Sequence, residues 1–343
     1  MLQRGRAAVI VFLVSPNLEY THRAVVGLDP DLEVRIVSYR DLLHYTTTPR
    51  ATYIFTDFDR LSLAHWHRVA MAYRAMKTSG LKVLNDPAKA PSRYGLLRRL
   101  HDAGINDFNA YRVEERIRPS RWPVFLRNEG GHDRPLTDLV YDWETLQRAI
   151  DAAIEAGKPA ATLLIVEYCA EPLIGNLYRK LSSFQIGPRS LASTAVHEDS
   201  WLVKYGKKGI AGPALYEDEL RIIRENPHRE TLAEAFRLAD TDYGRADFGI
   251  VGGRPQIYEI NTNPEIKFGG EHPSPFRQES SKLNKQNMID AWRAIDTPGP
   301  VIPMPIDIRQ NDRMVWLTAR EERNAEASRV DVSQAAAAGD ESH

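Results

Sequence analysis

Cysteine is almost missing from this sequence: Cys169 is the only one in 343 residues. No intrachain disulfide can form, and no zinc module built on several cysteines is available. That usage suits a reducing compartment, so a cytoplasmic location is expected. Charge of one sign is lacking as well. Lysine and arginine total 45 against 46 aspartates and glutamates, a formal net of −1. Nucleic-acid-binding and membrane-surface proteins usually carry a basic excess, so no nucleic acid and no membrane is expected as a partner, although a local basic cleft is compatible with the balance. Long apolar runs are absent too, and nothing approaches the ~20 residues of a membrane span. Arg4 and Arg6 ahead of Ala7–Val14 superficially resemble a short signal peptide, but Ser15-Pro16-Asn17 offers no small-residue cleavage site. The run reads instead as a buried first strand. Chemical signatures are missing in turn: there is no Walker-type glycine-lysine loop, no dinucleotide glycine fingerprint and no nucleophile-elbow serine. His65 and His67 stand two apart on a helical stretch, a spacing that splits them across faces and argues against a shared metal.

The length gives a soft prior of about two domains, with enough chain for a large core that needs no staple. Over residues 1–86 strand and helix signals alternate. Ala7–Val14, Val34–Ser38, Tyr53–Thr56 and Lys82–Leu84 read as strands, and Leu61–Ser79 as a helix stopped by Gly80. This predicts a small parallel sheet with helices on its faces. Asn85-Asp86-Pro87 breaks the pattern and marks a boundary. Beyond it come a basic helix over Ser92–Ala103, a strand at Trp122–Leu126, and a helix over Trp143–Ala156 capped by Asp142 and stopped by Gly157. Leu163–Tyr168 reads as a buried strand, and Tyr178–Ile186 with Ser190–Val196 as a strand pair. Pro213 and Asn226 bracket one helix, and His228–Ala239 forms another. From Ala325 the chain is rich in Ala, Ser and Asp and reads as a disordered tail.

A hairpin near the end of this series carries the chemistry. Ala246–Ile250 and Gln256–Ile260 flank Gly252-Gly253. Side chains alternate along a strand, so Arg245 and Asp247 share one face, as do Glu259 and Asn261. With the turn centred at Gly253, Asp247 falls opposite Glu259, Cβ atoms about 5 Å apart. Phe248, Ile250, Ile257, Tyr258 and Ile260 then fall mostly on the other face. Two carboxylates and an amide oxygen converge, which suits Mg²⁺ completing its shell with phosphates and water. Facing like charges are otherwise destabilising. The same spacing also fits a solvated face on which Arg245 neutralises the acids.

Glu259-Ile260-Asn261-Thr262-Asn263-Pro264, preceded by Gly244-Arg245-Ala246-Asp247, resembles the C-terminal signature of the ATP-grasp superfamily. D-alanine–D-alanine ligases and the amino-acid ligases that modify ribosomal protein tails carry similar strings. The resemblance covers roughly residues 81–297. It implies ATP and Mg²⁺ (or Mn²⁺) as cofactors, with Asp247, Glu259 and Asn261 holding the metal on the phosphates and Arg245 stabilising negative charge. Where the family has lysines on the nucleotide this chain has Arg93 and Arg127, which keep the charge but change the reach. Asn128-Glu129-Gly130-Gly131-His132 corresponds to the lid loop, in which Gly130 and Gly131 would let backbone N–H groups approach phosphate. A plain turn is the alternative. Val166-Glu167-Tyr168-Cys169 resembles the hinge whose backbone reads adenine; Cys169 itself is expected to pack rather than react. Glu171 is the candidate for the ribose hydroxyls, and Lys180 for the phosphates or substrate. Lys204, with Lys207 and Lys208, sits in a glycine-bounded loop that would offer charge to an acyl phosphate or would simply be solvated.

The implied architecture is α/β and α+β: an ATP-grasp fold with an N-terminal parallel-sheet (pre-ATP-grasp) domain at 1–86, a first ATP-grasp subdomain at 87–165, a second at 166–297, and a C-terminal extension at 298–343. The implied activity is ATP-dependent joining of a small-molecule carboxylate to an amine through an acyl phosphate. A phosphotransferase acting on a hydroxyl, or a nucleotide-binding regulatory protein without turnover, would use the same scaffold. A homodimer is the default expectation for assembly.

Overall fold

The computed structural model describes residues 8–131, 133–297, 303–306 and 308. The Ala-rich segment from Ala325 lies outside them, as does His132 of the glycine loop.

The opening segment contains β1 (Ala8–Val14), β2 (Leu32–Ser38), a short helix α1 (Tyr39–Leu42), β3 (Thr47–Pro49), β4 (Thr52–Phe55), α2 (Leu63–Thr78) and β5 (Lys82–Leu84). Four of these strands form a parallel sheet in the order β2-β1-β4-β5. β1 is buried throughout its described side chains, as its unbroken apolar run requires of a strand covered on both faces. Val9, Val11 and Leu13 pack with Tyr39, Phe55, Val69 and Met76 under α1 and α2. Ser62 caps α2 by accepting from His65 N, and Gly80 follows it at φ +80°.

The opposite face of this sheet is covered differently from the expectation. Ile10, Phe12 and Ile54 join Phe184, Ile186, Tyr243, Met288 and Trp292 in one core, so the second half of the chain supplies the cover. Much of it comes from a long helix, α7 (Pro275–Ile295).

The middle segment contains α3 (Arg93–Asp102), β6 (Ala110–Arg112), β7 (Val124–Asn128), α4 (Trp143–Glu155) and β8 (Leu163–Glu167). The strands pair antiparallel in the order β6-β8-β7 and pack through Leu126 and Ile165 onto Leu146 and Ile150 of α4. Asp142 caps α4 by accepting from Thr145 N at 2.8 Å.

The last segment contains β9 (Tyr178–Ile186), β10 (Arg189–Ala192), β11 (Val196–Glu198), α5 (Pro213–Glu225), α6 (Arg229–Leu238), β12 (Tyr243–Val251), β13 (Arg254–Asn261), α7 (Pro275–Ile295) and β14 (Pro303–Pro305). β10-β9-β12-β13 form an antiparallel sheet. The single strand expected over Ser190–Val196 is two: β10 ends at Ala192, and β11 pairs separately with the start of β9. α7 had no counterpart among the expected elements. β14 returns to pair with β3. Among the described residues, no helix is long and apolar enough to cross a membrane.

Candidate active site

The β12–β13 hairpin closes through Gly252 and Gly253, both with positive φ (+56° and +79°), between the paired Val251 and Arg254. Such two-residue turns match the twist of the strands and favour glycine. The register then shifts by one residue between Asp247 and Phe248, because Tyr258 is extra. This bulge sets Asp247 directly opposite Glu259, and Arg245 opposite Asn261. It also puts Tyr258 on the cavity wall that Asp247 and Glu259 line, a correction to the face expected for it. Its hydroxyl donates to Cys169 O at 3.0 Å, and its ring lies over Gly249, where a Cβ would meet the phenol oxygen at 2.3 Å.

Asp247 is buried. Its Oδ1 accepts from Arg245 Nε at 2.7 Å and from Ser182 Oγ at 3.2 Å, and its Oδ2 lies 3.0 Å from Lys180 Nζ. Lys180 and Ser182 alternate along β9 onto the same face as Asp247. Glu259 Oε2 lies 2.9 Å from Arg93 Nη1. Asn261 Oδ1 accepts from Asn263 N at 2.8 Å and so shapes the chain's exit from β13.

Arg93 opens α3 behind the Ser92 cap and also donates to Glu129 O and Gly131 O, at 3.2 and 3.0 Å. It therefore ties the glycine loop to Glu259 through the loop's carbonyls. Arg127, the penultimate residue of β7, lines the same cavity. Burial, then the neighbouring Arg93 charge, pushes its guanidinium down to about 10. Two guanidiniums held together in a partly buried wall fit a multiply charged anion between them.

A cavity of about 620 Å³ joins these groups. Arg93, Arg127, Lys180, Lys204, Arg245, Asp247, Glu259 and Asn261 line it, as do Glu167, Tyr168, Cys169 and Glu171. Gly130 and Gly131 are not among the lining residues. Pocket-wall positions that the sequence reading passed over include Ser182, Trp201 and Arg60. Ser182 follows from strand alternation out of Lys180; Trp201 sits in a loop and Arg60 in a single 3-10 turn, Phe58–Arg60, neither with a periodic signal.

The hinge is tightly bonded. The Glu167 carboxylate accepts from Asn109 N, Tyr111 Oη, Ser120 N and Oγ, and Arg121 N, at 2.8–3.0 Å. Glu167 N and Tyr168 N already donate to Asn109 O and Pro123 O. Glu167 thus organises the hinge with its side chain. Glu171 accepts from Gly252 N at 2.9 Å, linking hinge to hairpin turn. Burial pushes the Cys169 thiol up, consistent with a packing role.

Among the described residues, no group of three or more His, Cys, Asp or Glu is placed to hold a metal alone. Two carboxylates and one amide oxygen, opened onto a cation-lined cavity, instead suit a hard ion delivered with phosphate oxygens.

No protein-family model matches the sequence, and no curated protein matches it either. Solved structures do. D-alanine–D-alanine ligase from Bacillus anthracis complexed with ATP is 13% identical over 84% of this chain and 98% of its own, with a TM-score of 0.48. VanG D-Ala:D-Ser ligase from Enterococcus faecalis is 12% identical over 84% and 99%, at 0.48. D-alanine–D-alanine ligase from Helicobacter pylori is 12% identical over 86% and 100%, at 0.46. These likenesses are of fold alone. What the site does follows from this chain's own side chains.

Proposed function

We propose that the chain is an ATP-dependent ligase that joins a carboxylate to an amine and releases ADP and phosphate. The observation that carries this reading is the direct opposition of Asp247 and Glu259, with Asn261 beside them, inside a ring of Arg93, Arg127, Lys180 and Arg245. Opposed acids among cations are what a metal–polyphosphate ligand requires.

Arg93 and Arg127 would bind phosphate oxygens, and the Tyr168–Glu171 hinge would take the base and ribose. Mg²⁺, held by Asp247, Glu259 and Asn261, would neutralise charge on the phosphates. A substrate carboxylate oxygen attacks the γ-phosphorus, the bond to the bridging oxygen breaks, and ADP leaves. Phosphoryl transfer asks the protein mainly for positioning and charge, which Lys180 and Lys204 supply at this wall. The amine nitrogen then attacks the acyl carbon, loses a proton, and expels phosphate. Arg245 would stabilise the oxyanion formed on the way.

Calorimetric titration with ADP and a non-hydrolysable ATP analogue, each with and without Mg²⁺, tests the nucleotide site. Mg²⁺-dependent binding supports it and justifies a screen of acids and amines for ADP release. An amide product with free phosphate identifies a ligase, whereas a stable phosphoester would replace this reading with a kinase. No binding under any condition removes the proposal.

A further inference from the structure

The loop between β11 and α5 lends Trp201 to Tyr205 to the cavity wall and carries Lys204. Its conformation converges on one oxygen. Lys204 N, Tyr205 N and Gly206 N all donate to Glu198 Oε1, at 2.9, 2.8 and 2.8 Å. Three successive N–H groups around one anion form a nest, a strongly bound arrangement because each bond is charge-assisted. Glu198 is itself fixed in β11, opposite Tyr178 in β9, two residues from the partner of Lys180. Burial alone would raise its carboxyl, but the three N–H groups and nearby Lys180 outweigh that and hold it below the usual range. Gly206 completes the curve at φ +84°, with a Cβ position 3.4 Å from Val196 Cβ. Lys180 Nζ reaches Lys204 O at 3.4 Å, and Lys207 N donates to His197 O at 2.8 Å. At the loop's other end Trp201 packs on Phe125 of β7 and Tyr168 of the hinge, with ring centres 5.2 and 5.8 Å away.

We propose that Glu198 is a positioning residue: its carboxylate nest fixes the loop backbone so that Lys204 is presented to the phosphate end of the cavity, an assignment that rests on the ligase reading above. Glu198 spends its Oε1 on the backbone, so its effect on a ligand passes through Lys204.

Two measurements on the full chain test this together. Amide hydrogen exchange over 203–208 reads the loop, and calorimetry of adenylyl imidodiphosphate with Mg²⁺ against AMP reads Lys204. Glu198→Ala is expected to speed exchange at 204–206 by about tenfold or more, the scale of losing charge-assisted bonds. Exchange in β9 and β12 should stay unchanged. The same variant is expected to weaken the imidodiphosphate by roughly tenfold while AMP, which lacks the outer phosphates, binds as before. Glu198→Gln, keeping an acceptor oxygen without charge, should fall between. Lys204→Ala should reproduce the affinity loss without the faster exchange. Unchanged loop exchange in Glu198→Ala overturns the proposal, and so does an equal loss for AMP and the imidodiphosphate, the mark of general support for the fold. If the wild-type chain binds neither nucleotide, the ligase reading and the presentation of Lys204 fall together, while exchange at 204–206 still decides whether Glu198 anchors the loop.

Discussion

Arg93 bonds three residues in two segments: Glu259 on β13 and two carbonyls, Glu129 and Gly131, in the loop after β7. A lysine would keep the charge but offer one point donor in place of a planar fork. Arg93→Lys is therefore expected to weaken a triphosphate analogue by about tenfold or more, the cost of one or two charge-assisted bonds; unchanged affinity would show that the fork is dispensable. The acids have a corresponding property. Both oxygens of Asp247, and Oε2 of Glu259, already face protein cations. A bare divalent ion must displace those partners without phosphate to receive them. Mg²⁺ alone is expected to bind at least about tenfold more weakly than Mg²⁺ titrated in the presence of ADP. Equal affinity in the two titrations would mean that the metal site is complete without the nucleotide. At this scale the juxtaposition was legible and its role was not. Spacing brings Asp247, Glu259, Asn261 and Arg245 together on one hairpin, an arrangement that fits a solvated face as well, and it is the resemblance that implies a metal there. The Arg245–Asp247 pair follows from strand spacing, but the Arg93–Glu259 pair does not, because its partners meet across 166 residues of chain.

Apolar periodicity marks most of this chain's elements in its sequence and fails where polar groups are buried. α7 is the clearest case. Its inward positions begin with Ser280 and Asn284, both buried, and become apolar only from Met288 to Ile295. A helix recognised by its apolar stripe is visible there only in its last turns. The hairpin register shows a subtler case. Placing the turn centre at Gly253 gave the right opposition of Asp247 and Glu259, but by a route the chain does not use. The turn occupies Gly252-Gly253, which by itself would set Asp247 opposite Tyr258; the bulge at Tyr258 restores the pair. The other end of the hairpin has less room. A Cβ on Gly244 would sit 2.8 Å from Asn261 O and 3.5 Å from Thr262 Cα. Both are backbone atoms that cannot rotate away, so Gly244→Ala is expected to cost about 1–3 kcal/mol in denaturant unfolding. It should also reduce Mg²⁺-dependent nucleotide binding by moving Asn261. A fully stable variant with intact binding would show that the strand end can shift freely.

The molecule as a whole buries titratable groups that set its response to acid. His22 is fully buried, stacked on Phe12, with its ring nitrogens 2.9 Å from Thr21 Oγ1 and Tyr243 Oη. Burial pushes it down to about 3. Burial, then Arg179 and Arg277, pushes His197 to about 4. Both stay neutral in the folded chain while the unfolded chain protonates them below about pH 6.5, so stability is lost as pH falls through that point. Each contributes up to about 1.4 kcal/mol per pH unit. Asp57, which burial raises to about 6, acts with the opposite sign below that pH. His22→Asn is therefore expected to flatten the fall in unfolding free energy between pH 6.5 and 4 by up to about 1.4 kcal/mol per unit; an unaltered slope would remove His22 as a cause. The same core that encloses His22 has a consequence for the order in which the protein is made. Thr52 Oγ1 and Lys82 Nζ both donate to Ile295 O, and Val9 N donates to Asp296 Oδ1, so the first sheet is stitched to the end of α7. A ribosome that has released residues 1–86 has delivered every strand of that sheet except its cover. The cover that α7 gives Ile10, Phe12 and Ile54 emerges only about two hundred residues later, so part of this face meets water before it meets α7.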